Sequence, residues 1–344
     1  MHSKIGSRSS VRSSGPLSSL SAFQSFGPAA FAGAVLAGGV AGVCDAAELN
    51  VPSKQYPTIQ SAINAAADGD VVVLAAGEFT ESCVVQGKSI ALRGAGMDAT
   101  IWNAPKGARC LWMPFLDEKP LTVSDIHFAG FSMPYNAAAV DIESTGAHRV
   151  SRCRFSSSGY FALEVFGPAS IVEGCEFVGN FGQALSMTVP QGTQPELQTV
   201  RGCTFDSNQF QSGASAITVY NSILRVEACR FIRNNFPTGN GIAIELNTGQ
   251  LLVANSEFCE SSASPISGSW TDEGGNAFLT EPCAALCPAD FVTDGTVNAA
   301  DLGVMLNFWG TDGSGYPGVD LDNDGTVGAA DLAALLSAWG PCSE

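Results

Sequence analysis

The middle of the chain repeats one pattern of apolar and polar positions. Six segments have the form Val-x-x-Cys-x-Phe, with Ile or Ser in place of Cys in the first and last copies, and they begin 27, 22, 28, 26 and 27 residues apart. The segments are Val123–Phe128, Val150–Phe155, Val172–Phe177, Val200–Phe205, Val226–Phe231 and Val253–Phe258. This spacing is too long for an array of hairpins, and it suits one turn of a coil made of short strands.

A second column alternates apolar and polar residues, which is typical of a strand with one buried face. Its members are Val140–Ile142, Leu163–Val165, Leu185–Met187, Ile217–Val219 and Ile244–Leu246. Three residues after the Phe of each of the last five segments stands a turn-forming residue, and this set comprises Ser158, Asn180, Asn208, Asn234 and Ser261. Because stacked Asn side chains can bond the neighbouring backbone at a bend, the pattern predicts a mainly β fold, a parallel β-helix with inward apolar ladders.

Four short stretches precede the repeat and have a character of their own. They are Tyr56–Ala67, Gly69–Leu74, Gly77–Glu81 and Leu92–Ile101. Together they resemble the opening of pectin-lyase-like β-helix proteins, pectin methylesterases included. In that family an amphipathic helix caps the coil, and here Ile59, Ala62, Ile63 and Ala66 form the matching apolar stripe. The resemblance implies a right-handed coil with an N-terminal capping helix, which the repeat extends over residues 48–280.

After a Gly- and Ser-rich boundary from Ser267 to Gly275, the chain changes character at Cys287. The segments Asp290–Leu302 and Asp320–Leu332 are offset by 30 residues and share most positions. Each holds a twelve-residue loop of the EF-hand kind, with oxygen ligands at alternating positions, Gly at the sixth and a carboxylate at the twelfth. We therefore predict a small helical module, residues 283–344, built from a duplicated Ca²⁺ loop.

The two loops do not offer equal ligand sets. The first offers Asp290, Asp294, Thr296, Asn298 and Asp301, and the second offers Asp320, Asp322, Asp324, Thr326 and Asp331, with each Thr contributing its carbonyl. Val292 occupies the third position of the first loop and supplies no oxygen. The first site should therefore bind Ca²⁺ more weakly than the second.

Each loop leads into a predicted helix with an apolar stripe. The stripes are Leu302, Met305, Leu306 and Trp309, then Leu332, Leu335, Leu336 and Trp339. Two such units in tandem, without entering helices and with Asp closing each loop, resemble type I dockerins, which dock onto cohesin domains. The resemblance implies a cohesin-like or surface partner, although Ala299-Ala300 and Ala329-Ala330 stand where dockerins place partner-reading residues. Cys287 and Cys342 bracket the module, and a disulfide between them is the preferred pairing.

The first 47 residues have the three-part form of a secretory signal peptide. Lys4, Arg8 and Arg12 precede an apolar run from Pro28 to Val43, and small residues follow it. The run is too short and too rich in Gly and Ala for a transmembrane anchor. We therefore expect a secreted or cell-surface protein without such an anchor.

The formal net charge of -17 is concentrated unevenly, because residues 287–344 hold nine acidic side chains and neither Lys nor Arg. Such a surface repels phosphate backbones, which argues against a nucleic-acid partner and favours a cation.

The polar members of the second column are the candidates for chemistry on the coil. Asp141 and Glu164, on adjacent turns, would lie about 5 Å apart at their backbones, near the separation of a retaining glycosidase pair. With Glu245 they are the candidate catalytic residues, and Phe166 and Tyr220 are candidate platforms for polysaccharide. This spacing arises in any β-helix, so a solvated polar face is the simpler interpretation.

The sequence carries none of the catalytic signatures sought on this fold. The Gln-Asp-Thr and Asp-Phe-Ile-Phe-Gly stretches of the esterases are missing, as are the Asp-Asp and Gly-His-Gly pieces of polygalacturonases. Since fold alone does not decide function, two hypotheses remain. One is an exported protein that recognises or acts on extracellular polysaccharide, as a lyase or glycoside hydrolase if it is an enzyme; the other is a non-catalytic adhesion or assembly protein.

The repeat also contains a column of cysteines, namely Cys153, Cys175, Cys203 and Cys229. Free cysteines that stack inside the coil are the favoured interpretation, because unpaired Cys buries readily. One or two disulfides between adjacent turns are the alternative.

Overall fold

The structure is a computed structural model that describes residues 46–115, 118–130, 138–209, 215–234, 242–260, 264–279, 287–292, 296–313, 316, 318–322 and 324–342. All but the last two residues of the expected signal peptide lie outside these ranges, and so do Ser261 and Asp294. None of the helices in the described ranges is both long and apolar enough to span a membrane.

Most of the described chain forms three parallel sheets, which each turn visits in the order A, B, C. Sheet A contains Glu48–Val51, Val71–Leu74, Ile90–Arg93, Leu121–Ser124, Arg149–Ser151, Ile171–Glu173, Leu197–Arg201, Ser222–Glu227, Gly249–Ala254 and Thr271–Asp272. Sheet B contains Gly77–Thr80, Thr100–Asn103, His127–Ala129, Arg154–Ser156, Glu176–Val178, Thr204–Asp206, Arg230–Ile232, Glu257–Cys259 and Ala277–Leu279. Sheet C contains Cys83–Val84, Leu111–Met113, Ala138–Ile142, Phe161–Val165, Gln183–Thr188, Ser215–Tyr220, Ile242–Leu246 and Ile266–Ser267. Equivalent residues of successive turns pair in register, so the parallel coil is confirmed.

The interior of the coil is a stack of phenylalanine rings. Phe155, Phe177, Phe205, Phe231 and Phe258 lie with successive ring centroids 4.7–4.9 Å apart and are fully buried. Removing a buried ring of this kind costs about 3–5 kcal/mol in protein cores, so the ladder is a large part of what holds the coil. The four repeat cysteines are buried and free of disulfides, as the favoured interpretation expected.

A ladder of buried asparagines holds one corner of the coil. Asn180, Asn208 and Asn234 each donate from Nδ2 to the carbonyl of the ladder Phe one turn earlier, over 2.5–3.1 Å. The Nδ2 groups of Asn180 and Asn208 also donate to the side-chain oxygen of the next Asn, each over 2.8 Å. These bonds satisfy backbone groups that the bend would otherwise leave buried and unpaired, and the predicted stacking is confirmed.

Helix α1, Ile59–Ala65, is fixed at both ends by charged side chains of the following segment. The Glu81 carboxylate accepts the backbone N–H groups of Ile59 and Gln60, while the Lys88 ammonium donates to three carbonyls of the last turn over 2.7–2.8 Å. An anion at the N-terminus and a cation at the C-terminus both complement the helix dipole. Its apolar stripe belongs to the buried core of the coil, and its role as a cap stays a prediction.

The segment from Ser267 to Gly275 does not form the boundary between the coil and the C-terminal module that its composition predicted. The strands Ile266–Ser267, Thr271–Asp272 and Ala277–Leu279 extend all three sheets through this segment, so it forms the last described turn of the coil. Its glycines lie at bends, where Gly268, Gly274 and Gly275 adopt positive φ.

The C-terminal module consists of helix α2, Ala299–Asn307, helix α3, Ala329–Ser337, and an antiparallel pair, Thr296–Val297 with Gly340–Pro341. Its small core contains Val297, Met305, Val319, Val327 and Leu335, all fully buried. Cys287 and Cys342 form a disulfide with their Cα atoms 5.6 Å apart.

We expect Asn208→Ala to destabilise the coil by roughly 2–4 kcal/mol, because it removes the buried hydrogen bonds that this side chain donates to Phe177 and Asn234 and accepts from Asn180. Urea unfolding of the whole chain, followed by circular dichroism, measures the change. The matched control is Asn50→Ala at an exposed strand position, which should leave the midpoint nearly unchanged. Equal effects of the two substitutions would contradict a structural role for the asparagine ladder.

Candidate functional site

The outer face of sheet C gathers the polar side chains singled out from the sequence. In-register pairing places one residue of each turn in a single column: Trp112, Asp141, Glu164, Ser186, Thr218 and Glu245. The predicted candidates Asp141 and Glu164 are direct neighbours, whereas Glu245 lies three turns beyond Glu164. The structure therefore brings two of the three candidate carboxylates together.

This face is not simply solvated. The side chain of Asp141 is only 2% exposed, and Ser186 and Thr218 are also buried, while Glu164 and Glu245 are half-buried. The simpler interpretation of a solvated polar face is therefore wrong for three members of the column. Alternation along a strand identifies outward positions, but it does not show whether other parts of the chain cover them.

Arg109 and Trp112 complete the site and were missed in the sequence. The Nη2 atom of Arg109 lies 3.0 Å from Oδ2 of Asp141, and its guanidinium sits 5.1 Å from the ring centroid of Trp112. The indole N–H of Trp112 donates to Glu143 over 3.2 Å. Extending the apolar-polar-apolar column one turn back, to Leu111–Met113, would have found Trp112, but Arg109 precedes the strand and has no periodic signal.

Two buried polar atoms of the ion pair lack partners among the described residues. They are Oδ1 of Asp141 and Nε of Arg109. An unsatisfied buried polar group costs about 1–3 kcal/mol, so the ion pair is kept at a cost to stability.

The environment shifts the acidity of both neighbouring carboxyls. Burial raises the pKa of Asp141 to about 7, and the charges of Glu164 and Glu143 add to this while Arg109 opposes it. Burial also raises the pKa of Glu164 to about 7, against a hydrogen bond from Ser186, with Glu143 raising it and Arg109 lowering it. Near neutral pH this pair can hold one proton between two carboxyls, which is the state that acid–base chemistry requires.

Aromatic rings flank the column. Tyr220 is 43% exposed, and the ring of Phe166 meets the exposed Phe115 edge-on with centroids 5.2 Å apart. Burial together with the charges of Glu245 and Glu164 raises the pKa of the Tyr220 hydroxyl, so this group stays protonated as a donor. Phe115 lies after a strand, outside the repeated positions, so no periodic pattern predicted it.

The second calcium loop forms a compact oxygen cluster. Ligand oxygens of Asp320, Asp322 and Asp324 lie within 4.8 Å of one another. Burial raises the pKa of Asp320, and although a hydrogen bond from Gly325 opposes this, the charges of Asp331, Asp322 and Asp324 raise it further. Oδ1 of Asp320 has no hydrogen-bond partner in the described part of the chain. A hard cation such as Ca²⁺ would satisfy this oxygen and offset the repulsion, so the residues present fit the ion.

The residues that close the two loops are buried and tied to the backbone. Asp331 accepts N–H groups from Leu321, Asp322 and Gly328, and in the first loop Asp301 accepts those of Val292 and Asn298. Three of the other predicted ligands are less deeply buried than these two aspartates. Asp290 and Thr296 are half-buried and Thr326 is exposed.

Asn298 has a different place from the one predicted. Its Oδ1 accepts the N–H of Ala300, so the side chain caps helix α2, and its Nδ2 donates to the carbonyl of Thr296 over 2.9 Å. Both predicted ligand oxygens are thus engaged in hydrogen bonds, whereas Asp294 lies outside the described residues. This engagement is in keeping with the weaker first site that the sequence predicts.

The raised pKa of Asp141 predicts a pH dependence of stability. The unfolded chain releases the proton near pH 3.8 and the folded protein near pH 7, so the folded state loses stability as the pH rises between these values, by about 4 kcal/mol at most. Asp141→Asn removes this titration and should reduce the slope of the urea midpoint against pH between pH 4 and pH 8, while the raised pKa of Glu164 keeps the remaining slope. The exposed Glu78→Gln is the control and should keep the parent slope; a parent slope in Asp141→Asn would contradict the shift.

Comparison with known proteins agrees with the topology. A family model described as the right handed beta helix region matches residues 118–277. No curated protein matches the sequence.

Several solved structures are similar in fold. A mutant of a PL6-family alginate lyase shares 17% identity at a TM-score of 0.49 over 62% of this chain, which spans only 32% of that one. The pectin methylesterase PemA from Erwinia chrysanthemi shares 12% identity at a TM-score of 0.46, over 66% of this chain and 80% of that one. A mannuronic acid specific family 6 lyase from human gut microbiota shares 15% identity at 0.44, over 62% and 54%. All three TM-scores lie below 0.5, so we draw no functional argument from them. The family match and the sheet topology together identify the coil as a right-handed parallel β-helix.

Proposed function

We propose that the protein is exported and acts on extracellular polysaccharide at the outer face of sheet C. The observation that carries this proposal is the neighbouring pair Asp141 and Glu164, each with a pKa raised to about 7, beside Arg109 and exposed aromatic rings. Strongly shifted carboxyls that share a water-poor surface are a feature of active sites. A non-catalytic adhesion or assembly protein is the alternative, and it requires no such pair.

The surroundings assign different roles to the two carboxyls. Asp141 is ion-paired with Arg109 at 3.0 Å, which favours its ionised form. Glu164 lacks an ion pair in the described residues, so it is the better proton donor of the two, although the hydrogen bond that it accepts from Ser186 over 3.2 Å favours its ionised form. The chemistry available is protonation of a glycosidic oxygen by Glu164 while the Asp141 carboxylate acts as nucleophile or base.

The exposed rings supply a binding surface for sugars. Tyr220 and Phe115 present apolar faces next to polar groups, the combination on which sugar rings stack. Phe166 contacts Phe115 edge-on, so it holds the Phe115 ring in place and contributes less of the exposed surface itself.

We expect Asp141→Asn and Glu164→Gln each to lower turnover of a cleaved polysaccharide by about 10²–10⁴-fold, the usual contribution of acid–base groups. The measurement is release of reducing ends from a panel of plant and algal polysaccharides. Glu78→Gln on the exposed surface should retain full turnover. Full turnover in both site variants would contradict the assignment, and glycan retention without any turnover in the parent would favour the non-catalytic alternative.

We propose as a second function that the C-terminal module attaches the protein to a cohesin-like or surface partner in a Ca²⁺-dependent way. The oxygen cluster of Asp320, Asp322 and Asp324 favours this. Asp320, Asp322, Asp324, the carbonyl of Thr326 and Asp331 would hold the ion, which neutralises the clustered carboxylates and ties the loop to helix α3.

The surface of the module offers matching apolar side chains on its two helices. Leu306 and Trp309 at the end of α2 are 53% and 44% exposed, and Leu336 and Trp339 of the second unit are 52% and 48% exposed. Apolar side chains of this size on a small acidic module favour a partner interface. These pairs, more than the alanines at the helix starts, are the surface that we expect a partner to cover.

Calorimetric titration of the whole chain with Ca²⁺ should show two unequal events whose affinities differ about tenfold, which corresponds to about 1.4 kcal/mol. Asp324→Ala should remove the tighter event, and Val292→Asp should strengthen the weaker one by supplying the oxygen that the first loop lacks. Glu78→Ala controls for loss of one negative charge elsewhere. Absence of binding, or loss of the tighter event in Asp294→Ala, would contradict this view of the loops.

A further inference from the structure

Charge is distributed unequally over the three sheets. Six arginines lie on strands of sheets A and B: Arg93, Arg149, Arg154, Arg201, Arg225 and Arg230. The described strands of sheet C contain neither Arg nor Lys, yet they carry Asp141, Glu164 and Glu245. The face that holds the candidate site is therefore the one from which cations are absent along the strands.

The single cation beside the carboxyl pair is already committed. Arg109 is ion-paired with Asp141 and stacked over Trp112, and Trp112 in turn holds Glu143. Both Asp141 and Glu164 feel the negative charge of Glu143 in addition to the positive charge of Arg109. A substrate carboxylate placed here would meet an excess of negative charge without a free cation in the described part of the site.

Between the carboxyl pair and Glu245 the column holds uncharged hydroxyl groups. Ser186 lies 3.3 Å from the hydroxyl of Thr188, and the Thr218 hydroxyl lies 2.9 Å from that of Ser215. Ser186, Thr218 and Ser215 are buried and bonded within the protein, so they add no positive charge that could pair with a substrate carboxylate. Direct recognition of a uronate, without a bridging metal ion, calls for Arg or Lys opposite its carboxylate.

The negative charge of these carboxylates also distinguishes elimination from glycoside hydrolysis. Elimination across a uronate removes a proton beside a carboxylate and builds additional negative charge there, which the groove would oppose. Glycoside hydrolysis passes through a transition state like an oxocarbenium ion, whose positive charge the same carboxylates stabilise.

From these observations we propose that the face of sheet C hydrolyses a neutral glycan and does not cleave a polyuronide by elimination. This inference rests on the proposed function and names its substrate class and reaction. In-register turns about 4.8 Å apart place the pair near the separation of a double displacement.

The reaction balances with water as its only co-reactant. The Asp141 carboxylate bonds to the anomeric carbon, the glycosidic C–O bond breaks, and its electron pair goes to the leaving oxygen, which takes the proton of Glu164. A water oxygen then bonds to the same carbon, Glu164 takes a proton from this water, and the bond to Asp141 breaks to restore the carboxylate.

The test uses the full chain on neutral polymers, namely β-glucan, xylan, galactan and mannan, and on polygalacturonate and alginate, each with Ca²⁺ and with chelator. Reducing ends and the ultraviolet absorbance of unsaturated uronides are measured together. We expect reducing ends from a neutral polymer, with retained anomeric configuration by proton magnetic resonance, and no unsaturated product from either polyuronide.

Affinity electrophoresis in the same polymers gives an independent readout. The parent should be retarded by a neutral polymer and not by polygalacturonate, and the double variant Glu143→Gln, Glu245→Gln should gain retardation by polygalacturonate, because it weakens the negative field. Glu78→Gln with Glu196→Gln, both at exposed positions, is the control for charge lost elsewhere and should gain none.

The outcomes separate this inference from the proposed function. Unsaturated uronide formed by the parent and lost in Glu164→Gln would overturn the neutral-glycan inference and leave polysaccharide cleavage standing. Retardation by a neutral polymer without cleavage would overturn hydrolysis. Neither retardation nor cleavage with any of the polymers would overturn both proposals.

Discussion

The spacing of about 4.8 Å between paired parallel strands constrains every other feature of the coil. Each side chain must pack on its own counterpart one turn away, so residues that tolerate such a neighbour form continuous columns. Phenylalanine rings stack with their centroids 4.7–4.9 Å apart, and Asn180 and Asn208 each donate a hydrogen bond to the asparagine of the next turn. Stability is therefore distributed along the axis, and the loss of one member is felt by its neighbours above and below.

The same spacing is unfavourable for carboxylates, and the site depends on this. In-register pairing places Asp141 next to Glu164 although both side chains carry carboxyl groups. Burial removes the water that would screen their charges. Two ionised groups in this arrangement cost more than one proton shared between them. The inward ladders offset the cost, so an unfavourable arrangement of carboxyl groups can persist on the outside of a well-packed core.

The columns were predictable because each column position recurs in several copies of the sequence repeat. The Phe and Asn ladders and the register of Asp141 with Glu164 follow from such repetition. Arg109 and Phe115 occur once, outside the strands, and so have no pattern to reveal them. The burial of Asp141, Ser186 and Thr218 was not predictable either, since alternation fixes only the side of the strand. A glycine-rich last turn was mistaken for a boundary, because bends and linkers have similar compositions. In the C-terminal module the two helices were predictable, but the stripe of α2 did not show that Met305 would be buried and Trp309 exposed.

The column of free cysteines implies an order of events when the chain matures. Cys153, Cys175, Cys203 and Cys229 are fully enclosed once the turns have stacked, and an oxidant then cannot reach them. In an unstacked chain the same thiols are accessible and can form bonds between turns that the closed coil does not contain. In the proposed extracellular setting, the turns must therefore stack before the thiols are oxidised. A chain whose thiols are oxidised first would be held by disulfides that the folded coil does not contain.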